Sequence, residues 1–108
     1  MEIKESDWKI YRQLQPVILD RYCQWIISEI DRVSKQPETS NHDKYLEIFS
    51  LMKKHDREIA LLFDNTRRSN AIEQLVGLKS RGLIEDEEFA QLGKETQDRV
   101  VELLEIFR

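Results

Sequence analysis

The chain has 108 residues, a formal net charge of −4, 35% charged and 40% hydrophobic residues, with only three glycines and two prolines. This length predicts one domain whose core needs no disulfide or metal, and the scarcity of turn formers favours helices over strands. The acidic balance argues against a general nucleic-acid-binding surface. Residues 1–10 lack the apolar core of a secretory signal, no run reaches membrane-spanning length, and Cys23 is the single cysteine, so we expect a soluble cytoplasmic protein.

Two helical segments are predicted before residue 35, at 7–14 and 16–34. They are separated because Pro16 disfavours the α conformation at the residue before it and suits the first position of a new helix. The predicted buried stripe of the second segment consists of Ile18, Tyr22, Trp25, Ile26 and Val33. Glu29 falls in this stripe. Since an unpaired buried carboxylate is costly, we expect an inter-helix ion pair between Glu29 and Arg67 or Arg68.

Residues 42–81 are predicted to form one long helix, although its apolar stripe changes phase between Thr66 and Ala71. The first stripe consists of Tyr45, Ile48, Met52, Ile59, Leu62 and Thr66, and the second of Ala71, Ile72, Leu75 and Leu78. On a continuous helix the two stripes face opposite sides. Continuity is favoured because residues 64–70 contain no proline or glycine. The alternative is a break within 64–70, with Asn70 as N-cap and Glu73 completing a capping box.

The length of such a helix predicts self-association. Forty helical residues span about 60 Å, whereas a compact domain of this size has a radius of gyration of about 13 Å. An apolar face that extends beyond its own domain needs a cover. We therefore expect a homodimer, because two-fold homo-oligomers are the commonest soluble assemblies.

The last part of the chain is predicted to contain two short helices, at 86–92 and 95–107, after Gly82 ends the long stretch in a left-handed conformation. The apolar, glycine and acidic positions from residue 72 onward are Ile72, Leu75, Leu78, Gly82, Ile84, Glu87, Glu88 and Phe89. Their spacing resembles the short C-terminal (SHOCT-like) helix-turn-helix domains appended to many bacterial proteins. The resemblance covers residues 72–92. It implies a helical hairpin that takes part in oligomerisation, and it implies no chemistry.

Candidate chemistry is sparse along the sequence. His42 and His55 are each followed by an aspartate, but a di-metal bundle needs glutamates three residues before its histidines, and Met52 occupies that position before His55. Cys23 has no histidine near it in sequence, and no glycine-rich loop or nucleophile elbow is present. The sequence therefore predicts no catalytic residue, no metal site and no cofactor.

A basic stripe is the strongest polar candidate. On a continuous helix Lys54, Arg57, Arg68 and Lys79 project to one side, and Arg67 lies beside them. This stripe could bind a phosphate backbone or an acidic protein. Pairing of Asp64 with Arg68 and of Lys54 with Glu58 at i, i+4 favours a self-neutralised, solvated face instead.

The prediction is thus an all-α bundle of four or five helices with one long central helix, completed by dimerisation. Its expected function is a non-enzymatic protein–protein interaction module that binds itself and another protein. The alternative is a nucleic-acid-binding regulatory protein that uses Arg67 and Arg68 together with Lys54 and Lys79.

Overall fold

The computed structural model describes residues 2–106 and has five helices in that range. They are α1 (Glu5–Ser34), α2 (Asn41–Phe63), α3 (Ala71–Ser80), α4 (Asp86–Phe89) and α5 (Lys94–Ile106). Residues 2–106 contain no strand, which confirms the all-α prediction. The molecule is elongated, with extents of 52 × 26 × 24 Å. Over the same residues, none of the helices combines the length and apolar character needed to cross a membrane.

The first helix runs without interruption from Glu5 to Ser34, so the prediction of separate helices at 7–14 and 16–34 is wrong. Proline cannot donate a backbone hydrogen bond and usually kinks or ends a helix. Pro16 is exposed, which places its ring on the solvent side. The buried residues Leu14 and Ile18 on either side of it anchor both halves of the helix in the same core.

The predicted long helix 42–81 is wrong, and the alternative of a break at 64–70 is confirmed. Backbone-competing side chains produce the break in the absence of proline or glycine. Asn65 adopts a left-handed conformation with φ of 54°. The Asn70 side chain accepts a hydrogen bond from the backbone N–H of Arg67 at 2.8 Å and donates one to the carbonyl of Asn65 at 2.9 Å. Because Asn70 is committed to this turn, it makes no side-chain cap on α3, and the capping box expected with Glu73 is absent.

A buried polar network holds this turn against α1. The Tyr11 hydroxyl donates to Gln74 Oε1 at 2.8 Å, and Gln74 Nε2 donates to the carbonyl of Asp64 at 3.0 Å. Gln15 Nε2 donates to the Thr66 hydroxyl at 2.6 Å. Burial raises the pKa of the Tyr11 hydroxyl well above its usual range, so it stays a hydrogen-bond donor. The network therefore fixes the direction in which the chain turns back.

Because the chain turns at 64–70, the second apolar stripe and Leu62 of the first pack into a single core at one end of the molecule. Leu62 of α2 is 2% exposed, and its Cδ2 lies only 2.6 Å from where a Cβ on Gly77 would stand. The glycine at 77 thus allows α3 to approach α2 closely. The core residues are Ile3, Tyr11, Leu14, Ile18, Leu62, Ala71, Ile72, Leu75, Leu78, Ile84, Phe89, Leu92 and Val100. We call this part of the molecule the globular end.

A buried aspartate ties α5 to α1. Asp7 is 3% exposed and accepts hydrogen bonds from the backbone N–H of Gly93 and from the Thr96 hydroxyl. A carboxylate at a helix N-terminus satisfies free backbone donors and complements the helix dipole. The start of α5 is therefore capped by a residue far away in sequence. The predicted last residue of this helix, Phe107, lies outside the described residues.

The turn between α3 and α4 agrees with the prediction. Gly82 has φ of 68°, and the N–H of Leu83 donates to the carbonyl of Leu78 at 2.9 Å, which is the bonding pattern of a Schellman motif. The backbone N–H of Glu85 donates to Glu88 Oε1 at 2.9 Å, as in a capping box. The helix α4 ends at Phe89 rather than at the predicted residue 92, because residues 90–92 form tighter turns.

An ion pair missed at the sequence level joins this turn to α1. Arg21 donates from its two terminal nitrogens to the two carboxylate oxygens of Glu88, at 3.0 and 2.7 Å, and also to the carbonyl of Leu83 at 3.0 Å. Glu88 is 8% exposed. Its hydrogen bonds from Arg21 lower the pKa of the Glu88 carboxyl below its usual range. This bidentate pair fixes the position of the α3–α4 turn on the middle of α1.

Candidate functional site

Beyond the globular end, α1 and α2 continue as an antiparallel pair that we call the projecting hairpin, residues 22–34 and 41–60. The Tyr22 hydroxyl lies 2.6 Å from His55 Nδ1, and Lys44 Nζ donates to the carbonyl of Ser34 at 2.9 Å. These contacts join the two helices in an antiparallel arrangement. In α2, however, Leu62 at the base is the only buried residue. The hairpin is thus one layer of two helices.

The side of α2 that borders a cleft with α1 carries a repeating apolar seam. Its positions follow the alternating four- and three-residue spacing of a coiled-coil seam: Tyr45, Phe49, Met52, Asp56, Ile59 and Phe63. Tyr45, Phe49 and Met52 are 63%, 57% and 54% exposed. Tyr45 and Met52 belong to the first apolar stripe predicted from the sequence. Within the described residues nothing covers them, so the seam has no partner helix in one chain.

Between this seam and α1 runs a groove of about 580 Å³, which we call the apolar groove. Its lining side chains are Cys23, Ile26, Ile27, Ile30, Phe49, Met52, Lys53, His55, Asp56 and Ile59. Seven of the ten are apolar, and Ile27 on the α1 side is 65% exposed. Exposed apolar surface that is contiguous rather than scattered marks an interaction site on a soluble protein.

Two charged residues of opposite sign interrupt the apolar groove on α2. Lys53 and Asp56 are three positions apart, both are exposed, and both line the groove. No salt bridge within the described residues involves either of them. One positive and one negative side chain therefore lie at the groove without an ion-pair partner among the described residues.

The opposite flank of the hairpin contains an aromatic cluster beside a cavity of about 420 Å³. Tyr22 and Trp25 stack with ring centroids 6.3 Å apart, and the His55 ring meets each of them edge-on. Arg81, from the end of α3, pairs with Glu58 at 2.8 Å and closes one side of the cavity. Burial raises the pKa of the Tyr22 hydroxyl, with a smaller contribution from the nearby Glu58 carboxylate. This flank is therefore more polar than the apolar groove.

A third recess, of about 650 Å³, lies between α3 and α5. Its apolar lining residues Val76, Leu103 and Leu104 are already partly buried against the core of the globular end. Glu73 and Arg81 lie at its edges. Although its volume exceeds that of the apolar groove, it leaves less apolar side-chain surface uncovered than the apolar groove does.

The predicted basic stripe is not assembled, because the turn at 64–70 divides it among separate elements. Lys54 lies on α2 beside the aromatic cluster. Arg68 donates to the carbonyl of Ile3 at 3.0 Å, and Arg67 is exposed in the turn. Lys79 pairs with Asp86 at 3.3 Å and lies over the Phe89 ring. The expected pairing of Lys54 with Glu58 is replaced by the pair between Arg81 and Glu58 described above.

The predicted ion pair of Glu29 with Arg67 or Arg68 is wrong. Glu29 instead pairs with Arg32 on its own helix at 3.4 Å, and its side chain is 29% exposed. The turn that carries the two arginines packs beside Gln15, through Thr66. Gln15 is separated from Glu29 by about 21 Å along α1 at 1.5 Å per residue. Trp25, also predicted to be buried, is 50% exposed because no third helix covers its side of the hairpin in the described part of the chain.

The two histidines, His42 and His55, lie at different positions along α2. Residues 2–106 contain no group of three or more histidine, cysteine, aspartate or glutamate side chains arranged to hold a metal ion. His42 lies at the exposed start of α2, whereas His55 points into the hairpin toward Tyr22. The two are more than three helical turns apart on α2.

Comparison of the chain with family models, with curated proteins and with solved structures gives no match in any of the three. The resemblance of residues 72–92 to the short C-terminal helix-turn-helix domain therefore stays a prediction. The assignment of a role depends on the chemistry of the surfaces described above.

Proposed function

We propose that this protein is a helical protein–protein interaction module whose binding site is the apolar groove of the projecting hairpin. The single observation that carries the proposal is the uncovered seam of α2, where three large side chains in regular spacing are each more than half exposed. Groove recognition of this kind places an apolar helix face against side chains spaced by three and four residues. The expected ligand is therefore an α-helical surface of a protein.

The groove chemistry supports binding rather than a reaction. Most of its lining is aliphatic, aromatic or thioether surface, and its charged residues, Lys53 and Asp56, lie on an exposed helix face. A rim of charge around an apolar centre is the usual arrangement of a protein interface, in which the centre supplies affinity and the rim orients the partner. Met52 adds a flexible side chain that adapts to different helix surfaces.

Nucleic acid is not part of this proposal. The cations considered at the sequence level are divided among α2, the turn at 64–70 and α3, and two of them, Arg68 and Lys79, already have partners in the globular end. A phosphate-binding surface needs several free cations on one face. The apolar groove, in contrast, is lined mostly by apolar side chains.

Site-specific photo-cross-linking tests the proposal. A benzophenone amino acid replaces Phe49 inside the groove in one variant and Leu61, which is 64% exposed on the same helix, in a control. We expect a discrete cross-linked protein species from position 49 and none from position 61. The cross-linked species should disappear when Ile27→Glu adds a charge to the groove. Equal labelling from both positions, or none from position 49 in the purified chain and in whole cells, would contradict the proposal.

A further inference from the structure

We infer that the occupant of the apolar groove is a second copy of this chain, docked with two-fold symmetry so that the two hairpins form a four-helix bundle. This inference depends on the proposed function, since it names the partner of the same groove. Three properties of the groove favour a second copy over an unrelated helix. They are the amount of uncovered surface, the arrangement of charge and the order of large and small residues along α2.

The uncovered surface has the size that a stable dimer needs. Ile27, Tyr45, Phe49 and Met52 are 65%, 63%, 57% and 54% exposed. With the partly buried groove residues and the charged rim, they present on the order of 600–800 Å² per chain, close to the roughly 800 Å² per partner of a standard interface. A pair of hairpins with apolar inward seams is the ordinary construction of a four-helix bundle.

The two charges of the groove are complementary to themselves under two-fold rotation. In an isologous interface, residue i contacts residue j of the second copy and the reverse contact occurs as well. When two α2 helices cross antiparallel with the axis midway between positions 53 and 56, Lys53 of each copy faces Asp56 of the other. Both side chains are exposed and without a salt bridge inside the described part of one chain. The rotation therefore satisfies both charges at once.

The same axis also brings one large and one small side chain together. It places Phe49 of one copy opposite Ala60 of the other, and Ala60 is exposed on the same side of α2. A large residue facing a small one lets two helices interdigitate without a clash. Asp56, the single polar residue in the seam, would fix this register, as isolated polar seam positions do in coiled coils.

Charge-swap variants test the inference on the full-length chain by light scattering and sedimentation. We expect the wild-type chain to show twice its 13.0 kDa mass. Lys53→Asp alone and Asp56→Lys alone each place like charges across the axis, so each should weaken self-association about tenfold or more. A mixture of the two single variants should form a mixed dimer, because one chain then carries two acidic groups and the other two basic ones. The double variant Lys53→Asp/Asp56→Lys should return to within about threefold of the wild type.

The matched control is Lys54→Asp, which changes the neighbouring lysine on the opposite flank and should leave the mass unchanged. Helix content by circular dichroism identifies any variant that fails to fold, and recovery in the mixture shows that both single variants are folded. A wild-type chain that stays monomeric at millimolar concentration overturns the inference, as does a mixture that associates no better than its components. If position 49 nevertheless cross-links to a different protein in cells, the proposed function stands and only the second copy is rejected.

Discussion

The two ends of this molecule differ in how completely one chain covers its apolar residues. At the globular end, α1 is packed by α3, α5 and the base of α2, and Leu75, Leu78 and Val100 are fully buried. In the projecting hairpin, α1 is packed by α2 alone, and Tyr45 and Ile27 remain nearly two-thirds exposed. Both ends use the same kinds of side chain. The difference shows that apolar periodicity identifies a helix face that packs against another surface. It does not show whether the same chain or a second chain provides that surface.

Buried polar interactions join distant elements at the globular end, whereas the hairpin is held by aromatic contacts and by buried aliphatic side chains of α1. Asp7, Glu88 and Gln74 are buried, and each has hydrogen-bond partners on a distant part of the chain. These interactions define one arrangement of the elements. In the hairpin, Tyr22 and His55 make the central polar contact, next to stacked and edge-on rings. The stability of the two ends should therefore respond differently to mutation.

The largest difference is expected from the same leucine truncation made at each end. Leu75→Ala should lower the free energy of unfolding by about 3 kcal/mol, because it leaves a cavity among fully buried neighbours. Leu61→Ala, on the exposed side of α2, should change it by less than about 0.5 kcal/mol. Urea unfolding followed by circular dichroism measures both. Equal losses would show that the two ends are packed alike.

The next largest effect is expected at the buried cap of α5. Asp7→Ala removes the acceptor for the Gly93 N–H and the Thr96 hydroxyl and should cost about 2 kcal/mol of unfolding free energy. Asp20→Ala is the control, because Asp20 is an exposed aspartate on the same helix. Thermal unfolding compares the two. A loss no greater than that of the control would mean that Asp7 does not hold α5 in place.

A pH-dependent effect is expected from the pair of Arg21 and Glu88. The folded state holds the pKa of Glu88 below its ordinary value of 4.5, so the folded protein binds fewer protons than the unfolded chain in this range. The ion pair therefore stabilises the folded protein fully at pH values above the ordinary pKa of the carboxyl. This stabilisation is lost as the pH falls through the lowered pKa that the carboxyl has in the folded protein. Glu88→Gln should cost about 1–2 kcal/mol at neutral pH and should flatten the acid side of the stability profile.

Glu87→Gln is the control for this profile, because Glu87 is exposed on the same short helix. The stability of the Glu87→Gln variant should equal that of the wild type at every pH. Midpoints of urea unfolding, measured for both variants between about pH 3 and pH 7, show whether Glu88→Gln alone changes the pH dependence of stability. A Glu88→Gln curve parallel to that of the wild type would remove the ion pair from the account of how α4 is positioned.

The smallest effect is expected within the hairpin. Tyr22→Phe removes the hydroxyl that bonds His55 Nδ1 and should cost about 1 kcal/mol or less, since Tyr22 lies in a single layer of two helices. Tyr45→Phe, whose hydroxyl lies on the exposed seam, should have no measurable effect on the isolated chain. Thermal melts at low protein concentration provide the measurement. A loss at Tyr22 as large as that at Asp7 would make the hairpin as firmly packed as the globular end.

Much of the fold follows from local signals in the sequence. Ser40 accepts a hydrogen bond from the N–H of Asp43 at 3.0 Å and caps the start of α2, as serine commonly does before a helix. Gly82 ends α3 in the expected left-handed conformation. These features depend on residues within one or two turns of each other, so the sequence is sufficient to predict them.

The errors arise where distant contacts decide the outcome. The turn at 64–70 depends on Gln74 and Tyr11 as well as on local asparagines, and this network joins residues more than sixty positions apart. Pro16 does not divide α1 because both neighbouring stretches are anchored in one core. The buried carboxylates are Asp7 and Glu88 rather than Glu29, since their partners come from other elements.

The candidate site was present in the sequence as a spacing but was not recognised there. Positions 45, 49, 52, 56, 59 and 63 follow the seam spacing of a coiled coil, yet the helical wheel grouped Tyr45, Met52 and Ile59 in a stripe with Ile48 and Leu62 instead. Periodicity gives the direction of an apolar face and no information about its neighbours. The exposures of Tyr45, Phe49 and Met52 identify the uncovered face.

Amide hydrogen exchange at two protein concentrations tests the central claim most directly, because it reports on the coverage of each helix separately. In dilute solution we expect residues 44–58 of α2 to exchange much faster than residues 71–80 of α3, which lie in the globular end. On concentration, protection should rise in 44–58 and stay unchanged in 71–80. Equal and concentration-independent protection of the two segments would contradict the account.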